Sequence, residues 1–117
     1  MSHIHMVKID ELKELAGQDL GYVREIIEEY ILHGDKRCQL LLEAAEKRDF
    51  GKIKEVAHSF KSPSGYLGAQ NLAMLLQKLE RMAANEIEEE IPETLKAVQK
   101  EYEAARAELQ KISAETL

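Results

Sequence analysis

The sequence predicts an all-α protein, an antiparallel up-down four-helix bundle with a short N-terminal capping helix. Three observations carry this. Apolar residues recur every three or four positions from Leu20 to Ala45 and again from Ile91 to Ile112, the spacing of one helix face. Two prolines and six glycines in 117 residues leave little material for sheet hairpins, while Leu, Ala, Glu and Lys dominate. The connections between the periodic segments are tight, which folds successive helices back on one another.

Residues 1–6, MSHIHM, show no periodicity and are expected to be a disordered or vector-derived terminus, leaving residues 7–117 as the bundle domain. His3 and His5 form an H-x-H that could touch a metal, but a frayed terminus is the simpler reading. Ile9, Leu12, Leu15 and Ala16 then make a short amphipathic helix that stops at Gly17. Too short to stand alone, it should lie across the end of something larger.

Asp19 can cap the next helix, whose inward positions read Leu20, Val23, Ile27, Tyr30, Gly34, Cys38, Leu41 and Ala45. The steps never slip phase. One long helix to about Lys47 is therefore preferred, with a soft spot or slight bend at Gly34. A stop and restart at His33-Gly34-Asp35 is the alternative. Cys38 sits on the core stripe as a small hydrophobe, and His33 only flanks it.

Asp49 can cap a third helix with Ile53, Val56, Ala57 and Phe60 facing inward. Pro63 falls near its end, where it removes a backbone donor and should bend the last turn. Gly65 and Gly68 bracket the turn that follows. A fourth helix carries Leu72, Leu75, Leu76, Leu79 and Met82 on its face, and Asn85 to Glu90 is a short acidic connection. The last helix shows a bundle-type seam of Ile91, Leu95, Val98, Tyr102, Ala105, Leu109 and Ile112. Its start is open between Ile87 and Pro92, because proline favours a first turn. The acidic run Glu86 to Glu93 suits a solvated helix start.

Composition sets outer limits. With 22 acidic and 16 basic residues, the net charge is −6, which argues against nucleic acid as a partner. No apolar run approaches the ~20 residues needed to span a bilayer, so no membrane role is expected. A single cysteine fits a reducing, cytoplasmic setting. Glycine-rich phosphate loops, H-E-x-x-H, paired cysteines and G-x-S-x-G are all missing from the sequence, which disfavours a nucleotide-using enzyme.

What remains is His58. At about 100° per residue it lies roughly 150° from the centre of the stripe Ile53, Val56, Ala57 and Phe60, out in solvent. Lys54, Lys61 and Gly65 share its face at offsets of −4, +3 and +7. An exposed imidazole is a good nucleophile near neutral pH, and the two lysines could offset the charge of a phosphoryl group placed on it. A hairpin centred on Gly68–Ala69 would set Glu80 opposite His58. A carboxylate there could accept the Nδ1 proton and leave Nε2 free to attack. The bland alternative is an ordinary surface histidine.

The run from His58 to Ala69, H-S-F-K-S-P-S-G-Y-L-G-A, followed by N-L-x-x-L-L-x-x-L-E, decides between them. It resembles the histidine-containing phosphotransfer (HPt) domain of bacterial multistep phosphorelays, over nearly all of residues 8–115. The resemblance implies that His58 is the phosphoacceptor, that Lys61 assists it, that Glu80 approaches the ring, and that Gly65 leaves room for the partner. Phe60 stands where the family has leucine, a harmless change in a core. Pro63, and Ser62 where glycine is common, could alter the end of that helix.

The implied protein is a phosphocarrier and not an enzyme with its own ATP site. It would take a phosphoryl group from a receiver-domain aspartyl phosphate and pass it to another receiver. It would hold no cofactor of its own, since Mg²⁺ would come with the receiver. Expected partners are response-regulator receivers, with a hybrid histidine kinase as a further candidate, and the expected state is a monomer. The alternatives are a non-phosphorylated helical adaptor that docks receivers, or a domain excised from a larger histidine kinase.

Overall fold

A computed structural model describes residues 2–116. Five α-helices follow in order: α1 (Met6–Leu15), α2 (Leu20–Glu46), α3 (Phe50–Tyr66), α4 (Gln70–Ala84) and α5 (Ile91–Thr116), with a one-turn 3₁₀ segment at Glu88–Glu90. α2 and α4 each pack against both α3 and α5, which closes a four-helix ring, and α1 touches α2. The fold is the expected antiparallel bundle with its N-terminal cap. Its long axis of 44 Å matches α2, whose 27 residues span about 40 Å at the helical rise. No helix among the described residues is long and apolar enough to cross a membrane.

The two aspartates cap as expected. Asp19 accepts from the Tyr22 amide at 3.1 Å and Asp49 from the Lys52 amide at 3.0 Å, each satisfying an orphan donor of a first turn. The seam of α5 is buried from Ile91 through Leu109, with Ile112 packed at its edge. α5 starts at Ile91 with Pro92 in its first turn, while Ile87 stays outside it. Cys38 is half-buried; burial, with Asp35 and Glu103 nearby, pushes its thiol up to about 12, so it is an inert packing group.

Several expectations are corrected. α2 is continuous, but Gly34 is no soft spot: the Tyr102 ring packs onto it, and a Cβ there would sit 2.5 Å from the Tyr102 hydroxyl. Ala44 is the buried residue below Leu41, and Ala45 lies at the edge of the stripe. The two flank Leu41 on opposite sides, and the neighbouring helices decide which flank is covered. Leu15 is 78% exposed. It lies about 90° round α1 from the line of Ile9, Leu12 and Ala16.

The terminus differs most. Met1 lies outside the described residues, but residues 2–5 pack onto the bundle instead of fraying. Ile4 is 1% exposed and belongs to the core. The His5 amide donates to the Gly68 carbonyl at 2.9 Å, and His3 Nδ1 lies 2.7 Å from a Glu101 oxygen. The expectation of a frayed terminus rests on the lack of a helical period in residues 1–6, yet Ile4 by itself is buried in the core. Gly68 is required twice over. Its φ is +89°, and a Cβ would meet the His5 carbonyl oxygen at 2.7 Å.

Three aromatic rings from three helices meet in the middle of the core. Tyr30, Phe60 and Tyr102 have centroids 5.6 to 6.3 Å apart. The Ser64 hydroxyl donates to the Phe60 carbonyl, so the Tyr30 hydroxyl donates to Ser64 Oγ at 2.7 Å. Tyr102 donates to Asp35, which also receives two bonds from the Arg106 guanidinium. These bonds fix α3 and α5 against α2, and so hold the outer face of α3 at a set angle.

Candidate phosphoacceptor site

α3 buries Ile53, Val56, Ala57 and Phe60, which turns His58 outward; its side chain is 69% exposed. The tight turn through Leu67 to Ala69 folds α4 back beside α3. Positions equally far from that turn therefore face each other, and Glu80 lies opposite His58. His58 Nδ1 is 2.8 Å from Glu80 Oε2. The hairpin register inferred from sequence is the observed one.

A second contact was not foreseen. Lys61 Nζ donates to Glu80 Oε1 at 2.9 Å, so one carboxylate holds both groups on separate oxygens. The signal was present in the sequence: Lys61 is one turn from His58, and a lysine side chain reaches any carboxylate placed opposite that turn. The Lys61 ammonium is the main cause holding the Glu80 carboxyl below the usual carboxylate range. Burial opposes it, and the His58 contact adds to it.

An ionised carboxylate can only accept hydrogen bonds. The proton of a neutral His58 ring therefore sits on Nδ1, and Nε2 presents its lone pair to solvent. The other residues singled out from sequence fall on the same face with less contact. Lys54 is exposed one turn before His58. Gly65 is half-buried and lacks a positive φ, and a Cβ there would meet only Ala73 Cβ at 3.9 Å. Glycine at 65 thus leaves bare space and is not demanded by the backbone. Pro63 sits within α3, and the helix runs on to Tyr66 with Ser64 fully buried.

The arrangement is an exposed imidazole with its proton held at Nδ1, a carboxylate acceptor behind it and an ammonium beside that acceptor, all on an open helix face.

The chain is similar to known proteins in two ways. The family model described as Hpt domain matches residues 25–112. Among solved structures, the crystal structure of histidine-containing phosphotransfer protein B (HptB) from Pseudomonas aeruginosa PAO1 superposes with a TM-score of 0.89 at 21% identity. The match covers 96% of this chain and 95% of that one. No curated protein matches the chain.

Proposed function

Because the chain belongs to the Hpt domain family, whose members carry phosphoryl groups in phosphorelays, we propose that it is a phosphocarrier with His58 as the phosphoacceptor. The observation that carries this reading is the 2.8 Å contact between His58 Nδ1 and Glu80 Oε2 beneath an exposed Nε2.

In the forward step, the Nε2 lone pair attacks phosphorus of an aspartyl phosphate on a receiver domain. The N–P bond forms as the acyl O–P bond breaks, and the aspartate leaves as carboxylate with the bonding pair. No proton has to leave Nε2. The Nδ1 proton stays on the ring, donated in a hydrogen bond to Glu80, whose negative charge steadies the positive charge developing on the ring. Passing the phosphoryl group to a second receiver reverses these bond changes. A divalent cation bound by the receiver would neutralise the phosphoryl oxygens.

Lys54 adds positive potential along the path of approach, and Gly65 leaves space for the partner's backbone. On this reading receiver domains load and unload the carrier, in a cytoplasmic setting. The test is incubation with phosphorylated receiver domains followed by analysis of the product. An acid-labile phosphohistidine that disappears in His58→Gln, with helicity intact, supports the assignment. Label that persists in that variant overturns it, and tight receiver binding without any label identifies an adaptor instead.

A further inference from the structure

Arg37 is a cation held in place without an anion. Its guanidinium stacks over the Phe60 ring, 5.8 Å from the centroid, and the residue is half-buried between α2 and α3. Arg48 and Arg106 hold carboxylates, those of Glu88 and Asp35, but among the described residues no carboxylate pairs with Arg37. With 22 acidic residues against 16 basic ones, the chain does not lack anions. Glu29 lies two turns earlier in α2, about 12 Å along the axis, and makes no pair with it.

Stacking uses the face of the guanidinium and leaves its edge free. That edge carries N–H groups in a fork that matches the two oxygens of a carboxylate. Arg37 lines a groove between α2 and α3, together with Ile26, His33, Pro63 and Tyr66. Tyr66 is 53% exposed, so an apolar wall stands beside the fixed cation. Tyr66 and Pro63 lie about 80° and 140° round α3 from His58, on the α2 side. A standard interface takes about 800 Å² from each partner, a disc of about 16 Å radius, so a domain seated on His58 also covers this groove. The guanidinium sits beyond the Tyr66 wall, whereas Lys61 and Glu80 flank the imidazole on the α4 side. It therefore meets the docking domain outside the reacting centre.

We propose that Arg37 is a specificity-determining residue, which takes an aspartate or glutamate side chain of the docking receiver domain in a two-pronged ion pair. The proposal rests on the phosphocarrier reading for the identity of the partner. Docking removes water from the groove, and the attraction between the two charges grows as it leaves. A receiver that brings a lysine or an apolar residue to the same place leaves the guanidinium desolvated and unpaired, which is penalised. Selection among receivers comes from both effects.

The test uses the full chain, its Arg37→Met and Arg37→Lys variants, and a panel of unphosphorylated receiver domains. Methionine keeps an apolar cover over Phe60, and lysine keeps the charge without the fork. Titration calorimetry reads affinity with no transfer involved. Single turnover at saturating phosphorylated receiver reads the rate. For the receiver that binds tightest, Arg37→Met should weaken binding roughly tenfold or more, and Arg37→Lys should recover only part of the loss. The saturated rate should be unchanged in both variants. Each surface Asp and Glu of that receiver is then changed to Asn or Gln. One such change should cost roughly tenfold against the wild-type chain and less than about twofold against the Arg37→Met chain, because the pair is already broken there.

Unchanged affinity in Arg37→Met, or a loss that couples to no receiver carboxylate, overturns the proposal. A loss confined to the saturated rate also overturns it and places Arg37 at the phosphoryl group. Coupled losses of affinity for a receiver that never labels His58 uphold the ion pair and overturn the phosphocarrier reading. A wild-type chain that binds no receiver of the panel overturns both.

Discussion

Tyr102 packs directly against Gly34: a Cβ at position 34 would lie 2.5 Å from the tyrosine hydroxyl and 2.6 Å from its Cε1. The same hydroxyl donates to Asp35 Oδ1 at 2.7 Å and lies 3.0 Å from the Ile31 carbonyl oxygen, which shares its single hydrogen. The missing side chain of Gly34 is the space in which α5 locks onto α2.

Gly34→Ala tests this. Alanine gains about 1 kcal/mol of helix propensity over glycine, but here it must displace the ring and break its hydrogen bonds. Overpacking costs about 1–3 kcal/mol, and the lost bonds add to it, so the net effect should be destabilising by about 1–3 kcal/mol. Urea unfolding of the two proteins measures it. A variant as stable as wild type would mean that the ring has room to move.

Gly65→Arg should behave in the opposite way. The residue has helical backbone and only one ordinary contact in reach, so stability should hold or rise by up to about 1 kcal/mol. The bulky side chain would stand on the His58 face, two turns along. Receiver binding should weaken at least tenfold while the melting temperature is kept. Unchanged affinity by titration calorimetry would remove Gly65 from the docking surface.

Lys54→Ala separates the two lysines. Lys54 is exposed beside the site, so its loss should lower the association rate at low salt and leave the ring tautomer as in wild type. Stopped-flow association across a salt series, with imidazole nitrogen shifts, covers both points. A changed tautomer in this variant would show that position 54 reaches the Glu80 network.

Acid stability should carry the signature of Glu80. Its folded-state pKa is lowered, first by Lys61, so the group binds protons less readily in the native state than when unfolded. Its stabilising contribution is fully present above the unfolded value of about 4.3, and is lost as pH falls through the lower folded value. Glu80→Gln should therefore flatten the acid limb of a plot of melting temperature against pH. Asp35, lowered chiefly by Arg106, follows the same sign, but it is more exposed and Asp35→Asn should flatten the limb less. A Glu80→Gln curve parallel to wild type down to about pH 3 would contradict the linkage.

The sequence by itself determined the helix order, the capping aspartates, the core stripes and the outward position of His58. These depend on residues a few positions apart, where the helical period translates spacing directly into direction. It reached one long-range pair, His58 with Glu80, because a two-helix hairpin with a tight turn leaves little freedom of register. Tertiary structure alone decided the rest. Gly34 reads as a weakness until Tyr102, 68 positions later, is seen to fill its space. Ile4 belongs to no apolar period in the sequence, and its burial accompanies the docking of the neighbouring His5 backbone onto Gly68. Lys61 shares a face with His58 in any helical reading, but its choice of Glu80 as partner was set by side-chain reach across α3 and α4. Periodicity constrains direction from one helix axis. Contacts between helices depend on depth, reach and the shape of the facing surface, which no single stretch of sequence contains.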